Sequence, residues 1–155
     1  MNEQVSKALT DLKHPDQSVR EEATQQLWQS WFYQKGVIGL EALRRSQAAL
    51  EAGRIDEAER YLSEIVEVQP DFTEAWNRRA VLYYTRQDYR KAIADCKRVI
   101  DLVPFHFGAL HGLGLCYAAL GDYRAAIHAF KQALEIQPYS LVNQRLVLEC
   151  TARLT

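Results

Sequence analysis

Apolar residues recur along most of this chain in paired stretches with helical spacing. One pair runs through Ala75, Leu82 and Tyr83, breaks at Gln87-Asp88, and resumes through Ala92, Ile93, Cys96, Val99 and Ile100. That periodicity predicts two amphipathic helices joined by a short turn. The pattern then repeats, because Pro70, Pro104 and Pro138 are spaced by 34 residues. At the same offset Ala58, Ala92 and Ala126 share a column, as do Gly53, Gln87 and Gly121, and Leu62, Cys96 and Phe130. Small residues at Ser46, Ala80 and Gly114 let the two helices of each unit approach closely. Turns are expected near Pro15, Gly53, Pro70, Gln87, Pro104, Gly121 and Pro138.

A single helix hairpin cannot bury both of its apolar faces, so units of this kind must stack, and the ends of the stack must be covered. At the carboxyl end, Leu141, Leu148 and Ala152 mark one face of a further helix with Arg145 and Glu149 outward, so that face is expected to cap the last hairpin. At the amino end, ALTDLKHPDQSVREEATQQLWQSWF breaks the period and forms its own helix pair around His14-Pro15-Asp16. Trp28, Trp31 and Phe32 close that segment with core-like spacing, and are expected to pack against the first repeat.

Residues 39 to 138 resemble tetratricopeptide repeats. The third unit carries the pattern most fully in Leu110, Leu113, Gly114, Tyr117, Ala126, Phe130, Ala133 and Pro138. The second keeps Trp76, Ala80, Tyr83, Ala92 and Pro104 but has Arg79 at a leucine position; the first keeps Ser46, Gly53, Ala58 and Pro70, with Arg45 there. AWNRRAVLYY and HFGALHGLG are similar to a group of small bacterial repeat proteins without an assigned reaction, and the front segment resembles a single HEAT-type unit. The resemblance implies an all-α, right-handed superhelix. It comprises a helix pair over 1–38, repeats over about 39–72, 73–106 and 107–140, and a capping helix over 141–155.

It also implies a concave groove that holds a peptide or protein segment, and the arginines expected there suit one with acidic residues or a free carboxyl terminus. The groove columns contain Arg44 and Arg78; Leu43, Asn77 and His111; Gln47, Val81 and Leu115; and Leu50, Tyr84 and Ala118, with Arg145 following on the cap. Arg44, Arg78, His111 and Arg145 are expected along one wall, at the surface. Some family members grip chaperone tails through a carboxylate clamp of lysines, asparagines and an arginine. The matching positions here are Leu43, Gln47, Arg78, Gly108 and Gly112, which argues against an acidic chaperone tail bound in that manner.

Arg79 needs an acid wherever its column is buried, and Asp95 on the second helix of the same unit is the expected partner. Arg45 faces Tyr61 in the corresponding place and should snorkel to the surface.

Composition narrows the function classes. The 155 residues carry 19 Lys+Arg against 20 Asp+Glu, so no global field draws nucleic acid or anionic lipid. No apolar run approaches a membrane span, and the amino terminus lacks a signal-peptide pattern. Cys96, Cys116 and Cys150 form no CxxC pair and are expected to be free, buried thiols in a cytoplasmic protein. His106, His111 and Cys116 are five residues apart and cannot share one helix face. No catalytic, cofactor or metal motif is present. The chain reads as a non-catalytic scaffold or adaptor. An RNA-binding helical repeat using Tyr83 and Tyr84 as stacking platforms, and a self-assembling structural protein, are the alternatives.

Overall fold

The computed structural model describes residues 1–155 as nine α-helices with no strand. They are α1 (Glu3–Asp11), α2 (Gln17–Phe32), α3 (Gly36–Glu51), α4 (Ile55–Val68), α5 (Thr73–Thr85), α6 (Tyr89–Leu102), α7 (Phe107–Ala119), α8 (Tyr123–Ile136) and α9 (Leu141–Arg153). Helices α3–α4, α5–α6 and α7–α8 form three stacked hairpins, α9 covers α8, and α1–α2 make a separate pair. The inward face of α9 is corrected: Asn143, Leu146 and Cys150 meet the last hairpin, whereas Leu141, Leu148 and Ala152 are exposed. The first hairpin begins at Gly36 rather than residue 39, because Gly36, at φ 66°, turns the chain directly from α2 into α3.

The turn inside each hairpin falls in one column and takes one backbone shape. Gly53 and Gly121 have φ 78°, and Gln87 between them has φ 63°. Glycine adopts this left-handed region freely, whereas a side chain there crowds its own carbonyl. The second hairpin therefore keeps the turn of its neighbours at a conformational cost.

Packing within the hairpins trades bulk between facing columns. Gly114 lies so close to the Phe130 ring that a methyl group placed there would come within 2.4 Å of it. Where the residue of the second column shrinks to Cys96, the opposite position grows to Ala80, and both are buried in one cluster. The proline columns leave short links, and several helix starts are capped by side chains, including Asp122 to the Ala125 N–H at 3.2 Å and Ser140 to the Asn143 N–H at 3.3 Å.

The front pair does not continue the stack. Ala8, Leu12, Ala23, Leu27 and Trp31 form one buried cluster with Phe107, at the start of the third hairpin. Trp31 stacks on His106 with ring centroids 4.0 Å apart, and Trp28 meets Phe107 edge-on at 5.4 Å. The packing of Trp28 and Trp31 against the first repeat is thus corrected: only Phe32 reaches the first hairpin's core. The physical reason is the aromatic platform of His106 and Phe107, together with Gly108, where any Cβ would stand 2.6 Å from the Trp28 ring. Helix α2 consequently crosses all three hairpins.

Replacing Gln87 with glycine should stabilise the fold by about 0.5–1 kcal/mol, part of the left-handed penalty being offset by glycine's greater unfolded-state entropy. Gly121→Ala should destabilise by about 1 kcal/mol on the same grounds, since open space surrounds that position and only the backbone is strained. Chemical denaturation of the two variants checks both signs.

Candidate functional site

The concave side is organised around a buried acid. Glu74, in the first turn of α5, is 1% exposed, and each of its oxygens has a partner. Asn77 donates to Oε1 at 3.0 Å, and His106 Nε2 stands 3.3 Å from Oε2. The His106 ring is wholly buried and its Nδ1 accepts the Ala109 N–H at 3.0 Å, capping α7. With Nδ1 accepting, the ring proton resides on Nε2 and is donated to Glu74. Arg78 completes the group: its Nε lies 3.7 Å from Glu74 Oε1, its Nη1 donates to Gln47 Oε1 at 2.8 Å, and its guanidinium sits 5.1 Å from the centre of the Phe32 ring.

Above this network opens a cavity of about 340 Å³ between α2, α3 and α5. Trp28 and Phe32 form one wall, Leu50, Leu62 and Val81 supply apolar surface, and Gln47, Asn77 and Arg78 contribute polar groups. That volume lies at the lower end of sites that take small ligands or single peptide side chains, about 300–1,000 Å³.

The groove residues expected from the columns separate into two sets. Gln47, Asn77, Arg78 and Val81 line the cavity, whereas Arg44, Tyr84, His111, Leu115 and Arg145 do not. Arg44 is exposed and forms no ion pair. Tyr84 stands edge-on to Tyr89 at 5.6 Å. His111 Nδ1 lies 2.7 Å from Asn143 Oδ1, which ties α7 to the capping helix. Leu115 packs beside the Phe130 and Cys150 cluster. Arg145 is 67% exposed and faces Glu149 along its own helix at 3.5 Å. The expectation that Arg78 is a surface cation is corrected, because its guanidinium is held between Glu74, Gln47 and Phe32. Reversing its charge would set a second carboxylate against a buried one.

Arg79 and Asp95 meet in a bidentate pair, Nε to Oδ2 at 2.8 Å and Nη2 to Oδ1 at 2.9 Å, with Nη1 donating to Ser63 at 3.2 Å. Burial pushes the Asp95 carboxyl above its ordinary range, and the hydrogen bonds from Arg79 pull it back. Donating to the Asp95 carboxylate in turn raises Arg79 above its ordinary value. Arg45 lies exposed near the Tyr61 ring, its guanidinium 5.8 Å from the ring centre.

All three cysteines are free and buried. Cys96 is pushed up by its hydrogen bond with Cys116 and by burial, which keeps it a thiol. No three His, Cys, Asp or Glu side chains gather as a metal-ligand set, and no helix is long and apolar enough to cross a membrane.

The column comparison carried a signal for Glu74 and His106. Glu74 shares its column with Leu40 and Gly108, and His106 with Ile38 and Phe72. Each is thus a polar departure from an apolar or glycine column, and the two departures face each other. Trp28 and Phe32 lie outside the period, so no column could place them.

Family comparison agrees with this architecture. Tetratricopeptide repeat families match residues 71–138 and 41–82. The chain belongs to the tetratricopeptide repeat family. Over 99 residues it is 34% identical to a TPR repeat-containing protein of Rhizobium etli, an alignment covering 64% of this chain and 48% of that protein. It is 28% identical over 98 residues to the Hsp70-Hsp90 organizing protein of Triticum aestivum, covering 63% of this chain and 17% of the relative. The chain thus spans about half or less of these relatives' lengths. Among solved structures, the first TPR of Spaghetti (RPAP3) bound to the HSP90 peptide SRMEEVD superposes with a TM-score of 0.71 at 19% identity, covering 74% of this chain and 91% of that one. The second TPR domain of human RPAP3, in complex with the HSP70 peptide SGPTIEEVD, gives 0.68 at 19% identity, covering 72% and 93%. These likenesses show the TPR fold.

The third hairpin of this TPR array predicts how the Arg79–Asp95 pair behaves, since it carries Leu113 and Ala129 in the same two columns. Arg79→Leu alone should destabilise by about 3 kcal/mol, because it strands the buried acid. Adding Asp95→Ala should recover most of that loss and bring the double variant near wild type in thermal unfolding.

Proposed function

We propose that the chain is a non-catalytic adaptor that holds a peptide or protein segment on its concave face. The observation that carries this reading is the cavity between α2, α3 and α5, open beside exposed Val81 and backed by a fixed arginine. Its apolar lining suits one or two anchoring side chains, while Gln47 and Arg78 can hydrogen-bond the ligand's main chain or a neighbouring carboxylate. Peptides bound to similar folds, in RPAP3 for example, support the class of ligand. The cytoplasm is the proposed setting, in keeping with three reduced thiols.

Those same similar folds carry HSP90 and HSP70 peptides, so the comparisons lend no support to excluding chaperone tails. Our reading against them rests on this chain's own residues. Gly108 and Gly112 offer no cation at two clamp positions, and the Trp28 ring lies over Gly108. Selection from a random peptide library, followed by amide chemical-shift mapping, tests the site. Selected peptides should perturb α3 and α5 around Gln47 and Val81. Val81→Glu should weaken them by about tenfold or more, with unchanged thermal stability because Val81 is 53% exposed. Shifts confined to α4, α6 and α8 would overturn the groove assignment. Labelled SRMEEVD and SGPTIEEVD should not bind in fluorescence anisotropy, and saturable binding of either would overturn the exclusion.

A further inference from the structure

The end of the array at α3 and α4 exposes columns that the next two hairpins bury. Ile38 is 82% exposed, whereas Phe72 and His106 in its column are both 0% exposed. Ile65 is half-buried where Val99 and Ala133 are completely enclosed, and Ala42 stands where Trp76 and Leu110 meet a preceding unit. Val37 and Val68 add exposures of 76% and 78% beside them. Between α3 and α4, Ile38, Ala42, Ile65 and Val68 line a cavity of about 220 Å³. In a regular stack a preceding hairpin would cover this face, but α1–α2 turn away to the concave side instead.

We propose that this face is an interface with a second copy of the chain, paired about a two-fold axis. Its charges are self-complementary. Arg45 on α3 and Glu64 on α4 both line the cavity, both are exposed, and neither is in an ion pair within the chain. A two-fold contact repeats the same patch on both partners, so Arg45 of each copy can meet Glu64 of the other around an apolar centre. The opposite end of the array does not supply a continuing partner. Helix α9 occupies the place of a first helix, whereas the face at α3 wants the second helix of a preceding unit.

Sedimentation equilibrium of the full chain over a wide concentration range tests the proposal. The wild type should move from monomer to dimer as concentration rises. Ile38→Asp should weaken the dimer by at least about tenfold. Arg45→Glu and Glu64→Arg should each weaken it, and the combined charge swap should restore it, with circular dichroism showing all variants folded. Leu148→Asp, on the exposed side of α9, should leave the dimer intact. A wild-type chain that stays monomeric at millimolar concentration would overturn the proposal. So would dissociation by Leu148→Asp, or failure of the swap to restore what both single variants lose.

Discussion

A buried carboxylate constrains more of this molecule than any other group. Glu74 is almost completely shielded from water, and an ionised acid in that position is tolerated only with its oxygens occupied. Two of the groups that occupy them, Asn77 and Arg78, follow on α5 itself, whereas His106 comes from the link before α7. His106 can serve only if its other nitrogen caps α7, and its ring is held in place by Trp31 of the front pair. One acid therefore fixes the spacing of the second and third hairpins, the ring orientation at their junction and the docking of α2.

This explains how a family architecture acquires an individual groove. Within a stack of hairpins the concave surface is ordinarily an open trough made by first helices alone. Here α2 crosses it, with Trp28 over Gly108 and Phe32 under the Arg78 guanidinium. The trough is thereby closed toward the third hairpin and left open between the first two, and a cavity with aromatic, apolar and polar walls results. Arg78 gains a fixed direction from the same contacts, so less side-chain freedom remains to be lost when a ligand engages it.

The period of the prolines and the small-residue columns made the hairpins legible from the residues alone, down to the turns at Gly53, Gln87 and Gly121, though not their left-handed backbone. Such features are local or repeat at fixed offset, and each column has three instances to read. The pairing of Arg79 with Asp95 was legible for a related reason: a charge in an interior column demands a counter-charge nearby. The docking of the front pair was not, because Trp28 and Trp31 have no column and reach residues about 75 positions later in the chain. The groove residues divided for the same reason. Columns say which face a side chain takes, but the contacts that fix Arg78 and leave Arg44 free come from α2 and from Glu74.

Departures from the repeat fall into two physical kinds, and the difference bears on function. Some are compensated inside the stack, as Arg79 is by Asp95, and these preserve the array without altering its surface. Others are compensated from outside the stack or not at all. Glu74 and His106 depend on each other and on α2, and they shape the groove. Ile38, Val68, Arg45 and Glu64 are left exposed, on a face that a preceding hairpin would have covered. Selection for stability alone gives no reason to keep an exposed isoleucine in a column whose other members are wholly buried. In a repeat protein the residues that the stack neither compensates nor covers are therefore where interaction surfaces are to be sought, and here they lie at the α2-walled cavity and at the open face of the first hairpin.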